Sequence, residues 1–265
     1  GLALALLGVA APVGFAIGPA AGGWLADGTP LGLRGLFALD AALSLAVALL
    51  LAVGYREPRR AAPPAVPVAW QAREALRAVA TTPVSRTLFV TFGLALLGQL
   101  VVQPFLPLFV ARLHPGRAGL AADIGIVVGA AGLLGVVLSP TAGILGDRLG
   151  FRRVLAAVTL GAAGCVLVLP LAGSLAALAR AVALFGGCLA ALMALIYALL
   201  ATLVPEERRT ATLTLAFLPV YAGAILGPLL GAALVGRGLA GPALAAAVLL
   251  LAALAVQTRL PAPPA

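Results

Sequence analysis

Gly14-Phe15-Ala16-Ile17-Gly18-Pro19-Ala20-Ala21-Gly22 returns 209 positions later as Gly223-Ala224-Ile225-Leu226-Gly227-Pro228-Leu229-Leu230-Gly231. Glycine holds the same three places in both copies, and proline follows the central one. Both copies lie inside long apolar runs, the first and the seventh of eight such runs. These runs cover about 3–26, 33–54, 84–112, 120–145, 154–170, 175–203, 210–235 and 240–258. Six spans separate equivalent positions, which implies a six-plus-six architecture of repeated halves. On that count residues 1–54 are the last two spans of one half, and 84–265 are all six of the next. About four spans are then expected before Gly1.

Composition points the same way. Of the 265 residues, 63% are hydrophobic and only 9% charged, whereas a soluble domain is roughly a quarter charged. A membrane-crossing helix needs ~20 mainly apolar residues, and helices satisfy their own backbone polar groups in lipid. A transmembrane barrel would alternate every second residue instead of running unbroken. The expected class is an all-α polytopic membrane protein with eight transmembrane helices. The net charge of +9 comes from 17 arginines scattered between apolar runs, a distribution that argues against nucleic-acid binding. Cys165 and Cys188 lie in apolar runs without metal-ligand or redox spacing. No charged segment and cleavage site precede the first run, so it does not read as a signal peptide.

One connection is long. Residues 55–83 carry Arg56, Arg59 and Arg60, then Pro63, Pro64 and Pro67, then Gln71, Arg73, Glu74 and Arg77. This reads as a proline-rich linker followed by a short amphipathic helix, bridging two bundles. If the first span runs outward, five arginines (Arg34, Arg112, Arg117, Arg180 and Arg237) fall outside and the other twelve inside. The bias assigns the linker and the C-terminus to the cytoplasm.

Between spans four and five stands Gly143-Ile144-Leu145-Gly146-Asp147-Arg148-Leu149-Gly150-Phe151-Arg152-Arg153. It reads as a tight, glycine-punctuated turn with one carboxylate among three guanidiniums, whose charge-assisted pairing holds helix ends together. This order resembles the loop signature of the major facilitator superfamily, G-x-x-x-D-R-x-G-R-R, with Phe151 in the place of the first expected basic residue. The segment Gly14 through Gly18-Pro19 to Gly22-Gly23 is similar to the element that marks helix five in that family's drug:proton antiporter branch. Pro205-Glu206-Glu207-Arg208-Arg209 resembles the family's loop before helix eleven. The resemblance implies helices five to twelve of a twelve-helix transporter. It also implies a first copy of the loop signature, proton-coupling carboxylates and part of the cavity in the segment before Gly1.

The site candidates follow from position. Gly14, Gly18, Gly22 and Gly23 give the first span a face without side chains, and Pro19 removes a helix donor there. Gly125, Gly129 and Gly132 offer a matching face in the fourth span, so the two are expected to pack. Gly143, Asp147, Arg148, Gly150, Arg152 and Arg153 form the expected gating latch, with a mere topology anchor as the alternative. Gln99, Gln103 and Phe105, beside Pro104 and Pro107, mark a kinked third span and, with Tyr197 and Tyr221, are the cavity candidates; helix packing is the alternative for each. Asp40, about two turns into span two, is the proton-carrying candidate, against a solvated or arginine-paired structural role. Arg180 snorkels or pairs with Asp123, and His114 faces solvent in an outside connection.

The sequence contains no phosphate-binding G-x-x-x-x-G-K-[ST] loop and no HExxH, and has a single histidine. It is therefore read as neither an enzyme nor an ATP-driven pump, and no cofactor or metal is expected. The function expected is secondary active transport, as proton-coupled efflux of drugs or other small organic molecules by alternating access. The partners are membrane lipid, a small-molecule substrate and the proton gradient, with a monomer in the bacterial inner membrane when full length. The alternatives are a facilitator-type importer of sugars or organic acids, or a transport-inactive membrane scaffold.

Overall fold

The computed structural model describes residues 2–28, 30, 32–55, 73, 77, 83–114, 116, 118–203 and 217–260. Most of the 55–83 linker, Arg117, the Pro205–Arg209 segment and the start of the seventh span lie outside the described residues. The elements are α1 (Leu2–Gly28), α2 (Gly32–Gly54), α3 (Pro83–Val102), α4 (Leu106–Leu113), α5 (Leu120–Leu149), α6 (Phe151–Val168), α7 (Leu175–Leu203), α8 (Phe217–Val235) and α9 (Ala240–Gln257). Single 3-10 turns occupy Gln103–Phe105 and Leu169–Leu171. Among the described residues, seven spans are long and apolar enough to cross a membrane, with α3 and α4 counted as one. The 27-residue α1 stands beside these. The chain is an all-α integral membrane protein.

The helices pack in a chain of neighbours. α7 lies between α5 and α6, α6 continues to α9, and α3 runs against both α9 and α8. Leu88, Phe92, Phe109, Leu155, Leu192 and Leu250, drawn from five of these helices, are fully buried. One polar pair crosses this core. The Gln257 side-chain amide donates to Thr159 Oγ1 at 2.8 Å, and that hydroxyl donates to the Leu155 carbonyl at 2.7 Å. In a medium without water, such pairing offsets the several kcal/mol that an unmet polar group costs. By contrast α2 touches α1 and has no buried residue. Phe37 and Val53 on it are 72% and 87% exposed, the surface of a helix bathed in lipid or awaiting other helices.

α1 is attached by its backbone. A Cβ placed on Gly129 would lie 2.6 Å from the Ala16 carbonyl oxygen, and one on Gly132 would lie 2.7 Å from the Ala16 nitrogen. One on Gly125 would collide with the Pro19 carbonyl, and one on Gly23 with the Ala121 carbonyl. As numbers rise along α1 they fall along α5, so the two helices are antiparallel. The expected pairing of these spans is present, but it uses a different stripe of α1. Ala16, Ala20 and Gly23, spaced i, i+4, i+7, face α5. Gly14 and Gly18 have open space where a Cβ would stand, and Gly22 faces Leu36 of α2. The reason is helical phase: Gly14, Gly18 and Gly22 share one stripe, and it is turned away from α5.

Two boundaries also differ from the expectation. The fourth span runs on to Leu149 and the fifth begins at Phe151, because Gly150 alone makes the turn. Its φ of +90° is one that only glycine adopts easily. Gly150 N–H donates to the Gly146 carbonyl, and the Gly150 carbonyl accepts from Arg153 N–H and Val154 N–H. One residue thus closes one helix and opens the next. The kink expected in the third span is present as the 3-10 turn at Gln103–Phe105, with Pro104 inside it.

Gly132→Ala is expected to lower the melting temperature of the detergent-solubilised chain by a few degrees, as ~1–3 kcal/mol of overpacking implies. Gly14→Ala and Gly18→Ala, in the more conspicuous motif, are expected to leave it unchanged or slightly raised. Thermal unfolding of the three variants checks both.

Candidate functional site

A cavity of about 410 Å³ opens between α1, α3, α5 and α7. Its walls are mainly apolar, with Phe15 from α1, Phe185 and Met193 from α7, and the small residues Gly132 and Gly135 of α5. Three polar side chains reach it: Gln99, Gln103 and Ser139. The α3 helix ends just before Gln103, so the turn that follows carries the second amide into the cavity one helical turn beyond the first. Gln99 Nε2 lies 3.4 Å from Gln103 Oε1, a long contact that leaves both amides free to turn toward a guest. No carboxylate or cation lines the cavity among the described residues.

The other cavity candidates lie elsewhere. Phe105 packs against Gly231 of α8, where its ring fills the space a Cβ would take. Tyr197 stacks edge-on against Phe92 at 5.5 Å, on the side of α7 that meets α3. Tyr221 on α8 is 66% exposed. Phe105 and Tyr197 are engaged in packing and Tyr221 is exposed on α8, so none of the three lines this cavity. Phe15, Ser139 and Met193 escaped the sequence reading. Ser139 had a signal, as a hydroxyl beside Pro140 in the middle of an apolar span.

At the linker end of the bundle, Asp147 and Arg148 occupy the last turn of α5 instead of an open loop. Both are exposed, as is Arg153. Asp147 forms no ion pair with an arginine among the described residues. Arg152 Nη2 instead donates to the Thr258 carbonyl at 2.9 Å, at the C-terminal end of α9, where a cation suits the helix dipole. Gly146 leaves room for Phe151, whose ring edge would lie 2.9 Å from a Cβ there. The non-basic residue in the signature is thus a plug folded back onto α5.

At the remote end, Asp27 Oδ2 accepts a 2.8 Å hydrogen bond from the Ala122 N–H in the first turn of α5. The α5 N-cap is Gly119, with no side-chain cap of its own, so α1 supplies the missing acceptor in trans. Asp123 does not meet Arg180. It pairs with His114 at 2.7 Å, nine positions away in the same corner, and His114 is largely covered instead of solvent-facing. Asp40 is exposed on α2 and has no ion-pair partner among the described residues. No group of His, Cys, Asp or Glu suited to a metal occurs among the described residues.

The chain resembles several bacterial membrane proteins. It is 31% identical over 218 residues to the uncharacterized MFS-type transporter YuxJ of Bacillus subtilis (strain 168), covering 82% of this chain and 55% of that protein. It is 31% identical over 157 residues to the multidrug resistance protein MdtG of Enterobacter lignolyticus (strain SCF1), covering 59% of this chain and 37% of that protein. It is 28% identical over 239 residues to the multi-drug resistance efflux pump PmrA homolog of Lactococcus lactis subsp. lactis (strain IL1403), covering 89% of this chain and 57% of that protein. The chain spans about half the length of the curated relatives it matches. The profile of the Major Facilitator Superfamily matches residues 1–135 and 118–265, and the chain belongs to that family.

Proposed function

We propose that this chain is part of a secondary active transporter that exports lipophilic small molecules, driven by the proton gradient and working by alternating access. The observation that carries this reading is the apolar cavity between α1, α3, α5 and α7 with its two side-chain amides. A mainly hydrophobic cavity with few polar anchors suits varied lipophilic guests. Relatives named as multidrug resistance and efflux proteins support the direction of transport.

In this reading α1 and α2 are the last two helices of a first six-helix half, residues 55–83 are a cytoplasmic linker, and 84–265 are the second half. The transporter is a monomer in the bacterial inner membrane, with the C-terminus in the cytoplasm. Phe15 is the first half's contribution to the cavity wall. Asp147 is a latch residue whose partner arrives in another access state. A carboxylate in the last turn of a helix opposes the dipole, and no described partner offsets that cost. Asp40 remains the proton-carrying candidate on this chain, exposed on α2 where further helices would cover it.

Everted vesicles containing the full-length transporter test the reading. Proton-dependent accumulation of a lipophilic dye, abolished by a protonophore, is the expected result; accumulation indifferent to the protonophore, or none at all, overturns it. Gln103→Ala is expected to weaken apparent affinity for hydrogen-bonding substrates by roughly 5–10-fold, about one net hydrogen bond, with little effect on a purely hydrocarbon dye. Asp147→Asn is expected to leave the melting temperature unchanged while slowing turnover, measured as dye flux per transporter.

A further inference from the structure

The corner between α4 and α5 holds the one histidine of the chain in a geometry that specifies its protonation. His114 Nδ1 lies 2.7 Å from Asp123 Oδ2, and Nε2 lies 2.9 Å from the Ala118 carbonyl oxygen. Both neighbours are hydrogen-bond acceptors. A neutral ring has one N–H and one bare lone pair, so one contact would set lone pair against lone pair. The corner closes only when the pair holds one proton more than a neutral imidazole and a carboxylate. The charge-assisted form, imidazolium on aspartate, is the stronger bond.

We propose that His114 and Asp123 form a proton-binding clasp at the end of the bundle remote from the linker. With its proton bound, the ring bridges Asp123 and Ala118 and ties the end of α4 to the start of α5. Asp123 lies in the first turn of α5, whose Ala122 N–H donates to the Asp27 carboxylate of α1. Losing the proton breaks one of the two bridges and frees the corner, weakening the tie between α1 and α5 at this end. The side chains of His114 and Asp123 keep 16% and 24% exposure, so protons reach them from solution.

The other charges nearby leave the clasp its own. Asp27 of α1 is engaged with the Ala122 N–H next to Asp123. Arg112, in the last turn of α4, is engaged with the Ala172 carbonyl at 3.1 Å. Arg180, in α7, makes no described contact with the pair, and Arg117 lies outside the described residues. The inference rests on these distances and not on the direction or substrate of transport.

The test places a nitroxide at Gly116, where a side chain meets nothing within 4 Å, on a Cys165→Ala, Cys188→Ala background of the chain in lipid nanodiscs. Histidine changes charge between about pH 5 and 8, so spectra at about pH 5 and pH 9 bracket the transition. An immobilised line at low pH that sharpens at high pH is expected, with the response lost in His114→Gln and in Asp123→Asn. A spectrum that does not change with pH, or a change that persists in both variants, overturns the proposal. Labelling histidine with 15N gives one ring from this chain, and a bare Nε2 in the immobilised state overturns it independently of how the variants fold.

Discussion

In hydrocarbon, two helices gain little from burying leucine against leucine, because lipid tails are as apolar as the side chains they replace. What holds a membrane bundle together is close backbone approach and the few polar groups that find partners. The seam between α1 and α5 is the fullest use of that constraint here. Gly125, Gly129 and Gly132 bring α5 onto the carbonyls and nitrogen of Ala16 and Pro19, and Gly23 completes the stripe. The Asp27 cap on Ala122 then fixes the register at one end. Because α2 touches the bundle through α1, its placement also depends on this contact.

The cavity is a consequence of the same seam. Gly132 both seats α1 and lines the cavity, and Phe15, next to Ala16, closes the wall. Any movement of α1 along α5 therefore changes the shape of the cavity directly. The two glutamines stand on the opposite wall, where the helix gives way to a 3-10 turn. The remote corner and the linker-end corner bracket this arrangement.

The span pattern, the break at Gln103–Phe105 and the α1–α5 partnership were legible because they follow from hydropathy, proline and small-residue spacing. Gln99 and Gln103 were legible as amides in an apolar run. Rotational phase was not. The motif Gly14, Gly18, Gly22 is the more regular stripe, yet Ala16, Ala20 and Gly23 meet α5, since alanine is small enough to serve and composition alone cannot orient a helix that is apolar all round. For the same reason the sequence does not show that Tyr197 and Tyr221 lie outside the lining of the cavity between α1, α3, α5 and α7. The Asp123–His114 pair needed the bend of the chain through Gly119, whose φ of +82° brings residues nine apart face to face. Arg180 is a neighbour only in a charge count.

Gly150 leaves α5 and α6 no slack. With one residue between them, and with both sides hydrogen-bonded to it, the two helices form an elbow that transmits tilt without stretching. The guanidinium of Arg152, two residues past the elbow, grips the end of α9 at Thr258. The end of α5 is thus joined, through a single glycine and one arginine, to the C-terminal end of α9. Replacing Arg152 would remove a joint between residues that the sequence places 106 positions apart.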